Sequence, residues 1–326
     1  MSERATAAGA VVSIRDLTIA FSKRPRPVVE GVGFDVRRGE IMGLIGESGS
    51  GKTLTALSIL GLLPHGARVL SGTITLGDRN LLALSQRELS RVRGDRIAMI
   101  FQDPMTAMNP VLRIGDQVAE PLVTHRGQGW RAARASAVQL LRRVQIPAAE
   151  ERAAGYPYQY SGGMLQRATI AMGLACQPEL IIADEPTTAL DVTIQAQILK
   201  LLIHIRDTQN AAILLITHDL GVVAEVCDRM AVMYAGRVME QGPVSEVFAK
   251  PAHPYTETLL RSTPRVDAEF DLAAVPVMPP HRAAPGHACR FVDRCPYRFE
   301  RCDAEPPLIE TAPDRAARCW LVEGSH

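Results

Sequence analysis

Gly46-Glu47-Ser48-Gly49-Ser50-Gly51-Lys52-Thr53 follows directly on the apolar run Ile41-Met42-Gly43-Leu44-Ile45 and directly precedes Leu54-Thr55-Ala56-Leu57-Ser58-Ile59-Leu60, which reads as a helix. A strand, a glycine-rich turn and a helix in that order make a phosphate cradle. The glycines let the backbone turn tightly and approach an anion, so that consecutive N–H groups and the positive end of the helix face it. Lys52 is then placed for the β- and γ-phosphates of a nucleotide, and the Thr53 hydroxyl for Mg²⁺. A glycine-rich turn with an incidental lysine is the plainer reading. The flanking strand and helix argue against it, as does the scarcity of lysine: Lys23, Lys52, Lys200 and Lys250 are all the chain has.

Kinases, GTPases, helicases and transport ATPases share such a cradle, so a second segment has to decide between them. Tyr160-Ser161-Gly162-Gly163-Met164 opens an apolar helix of about a dozen residues. A short loop leads from it to Leu180-Ile181-Ile182-Ala183-Asp184-Glu185-Pro186, a buried strand ending in two carboxylates. The carboxyl edge of a parallel sheet is where an α/β fold puts its ligand chemistry. Asp184 is placed to hold Mg²⁺, directly or through water, and Glu185 to orient and polarise an attacking water. Ala211 to Ile216 forms another buried strand, ending in Thr217-His218-Asp219, so His218 reaches the same edge.

With these segments in order, the chain resembles the ATP-binding subunit of an ABC transporter. The cradle, Phe101-Gln102-Asp103, Ser161-Gly162-Gly163, Asp184-Glu185, Ala189-Leu190-Asp191 and His218 match that family's motifs over roughly residues 11 to 260. The resemblance implies an α/β fold. It comprises a P-loop ATPase domain with a β-rich subdomain on the adenine side, and a helical subdomain over about residues 103 to 176. It also implies roles: Gln102 touches Mg²⁺ and the attacking water and senses the membrane subunit, His218 contacts the γ-phosphate, Asp191 lies at a dimer seam, and Phe21 stacks on adenine. Ser161, Gly162 and Gly163 present amides at a helix N-terminus to the γ-phosphate held by a partner subunit. One cradle and one signature then imply two ATPase chains arranged head to tail. Each residue has a plainer alternative: core packing for Phe21, a turn cap for Gln102, a structural histidine for His218, an acidic strand exit for Asp184 and Glu185. Tyr160 and Met164 depart from the residues usual in the family, while the Ser-Gly-Gly itself is intact.

Gln102 through Pro110, Ala189 through Gln197 and His253-Pro254-Tyr255-Thr256 are similar to segments of oligopeptide and dipeptide importer ATPases. That narrows the resemblance to the peptide/nickel importer group, with di- or oligopeptides as cargo and nickel, an opine or another small solute as the alternative. Members of the group combine two related ATPases, two membrane permease subunits and an extracytoplasmic solute-binding protein. A heterodimer is therefore implied, although the sequence permits a homodimer. A soluble ABC ATPase acting on nucleic acid is one rival class; it needs a coiled-coil insertion or a second ATPase copy, and neither is legible. A non-transport regulator with a dead ATP site is the other, and Lys52, Glu185 and His218 argue against it. The formal net charge of +1 gives no electrostatic case for nucleic acid. No apolar run approaches the roughly 18 residues of a membrane span. The expected location is the cytoplasmic face of the membrane, held there by the permease subunits.

A proline-rich linker is expected over 261–288, with a small cysteine-rich appendage over 289–326. Cys176 and Cys227 stand alone and read as buried apolar residues. Cys289, Cys295, Cys302 and Cys319 are separated by five, six and sixteen residues. In a reducing compartment thiols stay free, and four thiolates suit either Zn²⁺ or an iron–sulfur cluster. The tail resembles that of peptide-importer ATPases that bind a [4Fe-4S] cluster, which implies a structural cluster tying together a poorly cored appendage.

Overall fold

The computed structural model describes residues 9–24, 26–188, 190–262 and 288–324. Among the described residues twelve strands carry the architecture: β1 (Ala10–Phe21), β2 (Val29–Arg37), β3 (Ile41–Ile45), β4 (Ala67–Leu76), β5 (Arg79–Asn80), β6 (Ile97–Ile100), β7 (Leu180–Asp184), β8 (Ala212–Thr217), β9 (Arg229–Tyr234), β10 (Arg237–Pro243), β11 (Ile309–Ala312) and β12 (Arg315–Ala317). They form two sheets. The smaller, in the order β2-β1-β4-β5, is antiparallel. The larger runs β11-β12-β10-β9-β3-β8-β7-β6, and its five strands from β9 to β6 are parallel.

Strand sequence and burial agree. β3, β7 and β8 are buried at every position, as expected of parallel strands covered on both faces. Because β3, β7 and β8 are parallel neighbours, their carboxyl ends come out along one edge, which lines up Ile45, Asp184 and Thr217. The residues that follow these three strands therefore leave the sheet along one edge. Between β6 and β7 the chain packs the helices Ile114–Arg126, Trp130–Arg143 and Gly162–Leu174 around Ile114, Val118, Ala133, Ala137, Leu141 and Ala168, all fully buried. Arg131, Arg134, Arg142 and Arg143 lie on the exposed face of this bundle, where Arg134 pairs with Asp116 at 2.6 Å.

The C-terminal part is not the separate, poorly cored appendage expected from its cysteines. Its hairpin β11–β12 continues the main sheet, with Glu240 and Gln241 of β10 opposite Ala317 and Ala316. Phe291 and Val292 enter the same core as Ile45, Met230, Tyr234, Met239 and Tyr255. Phe291 is 1% exposed, and burying such a side chain contributes about 1.5–3 kcal/mol. Polar ties cross the same boundary: Arg315 reaches the fully buried carboxylate of Glu240 at 3.3 Å, Arg37 pairs with Asp314, and Arg290 pairs with Glu30. The segment is held by sheet pairing and an apolar core before any metal is considered. Most of the proline-rich stretch expected as a linker lies outside the described residues, as does Ala189.

Candidate nucleotide site

The cradle forms where β3 ends. Gly46, Gly49 and Gly51 all take positive φ, at 151°, 78° and 104°. At Gly46 the requirement for glycine is absolute, because a Cβ there would sit 2.1 Å from the carbonyl oxygen of Met233. Lys52 begins the helix Lys52–Ile59, and its ammonium donates to the carbonyls of Gly46 at 2.6 Å and Glu47 at 3.0 Å. Burial lowers the Lys52 pKa, while the nearby carboxylates of Glu185, Asp184 and Glu47 work the other way and favour the cation. Ser50 Oγ is buried without a hydrogen-bond partner, a situation that costs about 1–3 kcal/mol unless something supplies a bond. Ser48 and Gly49, by contrast, stand exposed.

Two oxygens meet at the base of the helix, where Thr53 Oγ1 lies 3.4 Å from Asp184 Oδ1. Burial pushes the Asp184 pKa up and the Thr53 bond opposes this, with Glu185 adding a further upward push. A hydroxyl and a carboxylate are the hard oxygen donors that Mg²⁺ prefers, with its remaining positions left to water and phosphate.

Glu185 follows Asp184 and is the hub of the site. Its Oε2 accepts from Gln102 Nε2 at 3.2 Å and from Thr188 Oγ1 at 3.0 Å, and its Oε1 lies 3.3 Å from His218 Nδ1. Three separate strand ends thus deliver one cluster: Gln102 after β6, Glu185 after β7 and His218 after β8. The Glu185 backbone sits at φ 47° while its N–H still bonds Ile216 O. A non-glycine residue in that region costs roughly 1–2 kcal/mol, and such strain concentrates at functional positions. Thr188 was not among the residues singled out from sequence. It follows Pro186-Thr187 in a turn, and only the fold brings its hydroxyl back to Glu185.

The remaining candidates are placed elsewhere. Ser161 caps the helix Gly162–Leu174 by accepting from Met164 N–H at 3.3 Å, so Gly162 and Gly163 do stand at a helix N-terminus. Asp191 likewise caps Val192–Gln209 through Ile194 N–H at 3.0 Å. The two caps adjoin, since a Cβ on Gly163 would meet Ile194 at 2.7 Å. Among the described residues no side-chain hydrogen bond joins Ser161–Gly163 to the cradle of the same chain. Tyr160 is buried and anchors the signature by donating to Arg152 O at 2.7 Å; burial pushes its phenol pKa up to about 12. Phe21 ends β1 partly exposed, with the Arg24 guanidinium 5.5 Å from its ring centre.

Cys289, Cys295, Cys302 and Cys319 border one small cavity with Phe291, Pro306 and Trp320, and none is in a disulfide. Burial raises the pKa of Cys289 to about 12 and of Cys319 to about 11. Even so, among the described residues no group of three or more His, Cys, Asp or Glu side chains is gathered in metal-ligating geometry. The preformed four-thiolate centre expected from sequence is therefore not seen among the described residues.

Comparison with known proteins bears on the same segments. The ABC transporter family matches residues 29–188, and the family "Oligopeptide/dipeptide transporter, C-terminal region" matches residues 239–302. A probable peptide ABC transporter ATP-binding protein of Sinorhizobium fredii is 48% identical, over 95% of this chain and 94% of that protein. The oligopeptide transport ATP-binding protein OppD of Salmonella typhimurium is 45% identical over 98% and 97%. The dipeptide transport ATP-binding protein DppD of Bacillus subtilis is 47% identical over 96% and 95%. Among solved structures, a dimeric ATP-binding cassette in a post-hydrolysis state with ADP and Pi superposes with a TM-score of 0.64 at 27% identity, over 72% of this chain and 98% of that one. With the cradle, the two carboxylates and the C-terminal region all accounted for, the chain belongs to the ABC transporter ATP-binding proteins, within the group that carries the oligopeptide/dipeptide transporter C-terminal region.

Proposed function

We propose that this chain is the ATP-hydrolysing subunit of an importer of di- or oligopeptides, and that the convergence of Gln102, Thr188 and His218 on Glu185 beside the cradle is what makes it an ATPase. In this reading the Gly46–Thr53 loop and Lys52 hold the phosphates, Phe21 stacks on adenine, and Glu185 draws a proton from the attacking water. Gln102 and His218 fix the carboxylate from either side. Mg²⁺, when bound, is held by Thr53, Asp184 and Gln102 and supplies charge neutralisation at the phosphates. Ser161, Gly162, Gly163 and Asp191 act on the nucleotide of a second ATPase subunit, an arrangement favoured by helix caps that, among the described residues, make no side-chain hydrogen bond to their own chain's cradle. ATP closes the pair and hydrolysis reopens it.

Two permease subunits fit the surface beyond Gln102. Phe101, Met105, Val111 and Leu112 are all exposed, Val111 by 74%. Four exposed apolar side chains within residues 101–112 support a protein contact there. A groove lined by Leu112, Asp116, Glu120, Trp130 and Arg134 opens beside it. No helix among the described residues is long and apolar enough to cross a membrane, so permeases would hold the chain at the cytoplasmic face, fed from outside by a solute-binding protein. Peptide cargo is supported by the relatives, which are peptide, oligopeptide and dipeptide transport ATP-binding proteins. Reconstituted with its neighbouring permeases, binding protein and second ATPase, the chain should drive uptake of a labelled tripeptide. Uptake of nickel or an opine with no peptide uptake would overturn the cargo, and full transport without a second ATPase would overturn the heterodimer.

We further infer that Cys289, Cys295, Cys302 and Cys319 hold a [4Fe-4S] cluster. The donor set fits in kind: four free thiols border a single cavity that is closed by apolar side chains. Protein purified without oxygen should carry about four irons per chain, the load such a cluster requires, and Cys295→Ser should lose them. One stoichiometric zinc in colourless protein would overturn this in favour of the zinc site.

A further inference from the structure

Glu47 is the second residue of the cradle, and every polar group it has is held. Its carbonyl accepts from Lys52 at 3.0 Å. Its N–H donates to the Tyr255 hydroxyl at 3.1 Å. Its carboxylate meets Arg294 Nη1, with Oε1 at 3.0 Å and Oε2 at 3.1 Å. The last two partners come from far along the chain: Tyr255 from the helix Pro254–Ser262, and Arg294 from the segment that carries the cysteines. Neither belongs to any motif of the ATP site.

Both partners are rigidly mounted. Tyr255 is fully buried, its ring 4.6 Å from Tyr234 and 5.4 Å from Phe291. The Arg294 side chain is 9% exposed, and its guanidinium lies 5.6 Å from the ring centres of both Tyr234 and Phe291. Guanidinium stacking of this kind fixes the plane from which the carboxylate is gripped. The loop they grip is the opposite in character. Gly46, Gly49 and Gly51 give it a large conformational freedom, and ordering such residues costs more entropy than ordering any others. Pre-ordering a ligand-binding loop raises affinity by removing that cost from the binding step.

We propose that Arg294 and Tyr255 are positioning residues of the phosphate cradle, delivered by the C-terminal part of the chain to hold Glu47 and so set ATP affinity. The inference rests on the reading of Gly46–Thr53 as the ATP site and goes beyond it by giving the C-terminal segment a part in that site. Arg294 acts through Glu47, which in turn carries a carbonyl bonded to Lys52. Neither residue touches the nucleotide.

The test is a double-mutant cycle on the full-length chain, reading ATP affinity by calorimetry alongside the melting temperature without nucleotide. Arg294→Met and Glu47→Gln are each expected to weaken ATP binding by roughly tenfold, about 1.4 kcal/mol. The double variant should lose no more than either alone, since both remove the same contact. Arg294→Lys should recover part of the loss, and Tyr255→Phe, which removes only the hydroxyl, should weaken binding with little change in melting. ATP affinity unchanged in Tyr255→Phe and Arg294→Met, or additive losses in the double variant, would overturn the proposal. A fall in melting temperature with affinity intact would do the same and leave a tie that serves only the fold. Failure of the parent chain to bind ATP would remove the cradle reading and this inference together, and so is distinguishable from failure of the variants alone.

Discussion

Glu185→Gln is expected to lower ATP turnover by about 10²- to 10⁴-fold, the usual contribution of a positioned general base, while ATP affinity stays within a few-fold of the parent. The substitution preserves size and an acceptor oxygen, so the bonds from Gln102 and Thr188, both made to Oε2, can persist. What it removes is the ability to take a proton. The cradle contacts of Lys52 and the Thr53–Asp184 pair do not pass through the Glu185 side chain, which is why affinity and turnover should separate. Phosphate release from the assembled transporter and calorimetry on the same variant check the two halves. Turnover equal to the parent would pass the role of base to another group. His218 is then the first to examine, being the imidazole that touches Glu185.

Much of this site can be read from sequence, because each motif sits at a sharp change of local structure. An apolar run of four or five residues, followed by Asp184-Glu185 or by glycines, marks a strand end from neighbouring residues alone. A parallel sheet then guarantees that such ends lie on one edge. Contacts that depend on distant parts of the chain were not legible in the same way. Thr188 carries no signal until the turn after β7 returns it to Glu185. β11 and β12, with four and three residues, are too short for an alternating pattern to register. The pairing of β12 with β10 joins residues about 75 apart. Arg294 stands beside Cys295 and carries no sequence signal of its own, since cysteine spacing says nothing about what a neighbouring guanidinium will meet. The misreading of the C-terminal segment as an appendage has the same root. Phe291 and Val292 are apolar residues in a polar stretch, and the core they join is made by Tyr234 and Tyr255.

Lys52→Ala is expected to weaken ATP binding by about 2–5 kcal/mol, the cost of truncating one partner of a buried hydrogen-bonded charge pair, which at about 1.4 kcal/mol per decade is roughly 30-fold or more. Lys52 is 6% exposed, so its ammonium has given up most of its water and depends on the partners around it. Its bonds to Gly46 and Glu47 span the cradle from one end to the other. Alanine removes both the cation that would meet the β- and γ-phosphates and the brace that holds the loop closed beneath them. The loss should therefore exceed that of Arg294→Met, which leaves the cation in place and loosens only the outer support at Glu47. Calorimetry with ATP on the two variants would order them, and equal affinity for Lys52→Ala and the parent would remove the cradle as the ATP site. The contrast with Glu185→Gln makes the argument specific. One substitution should abolish retention of a nucleotide, the other should retain it without hydrolysis, and only a site in which Lys52 binds and Glu185 reacts produces both results.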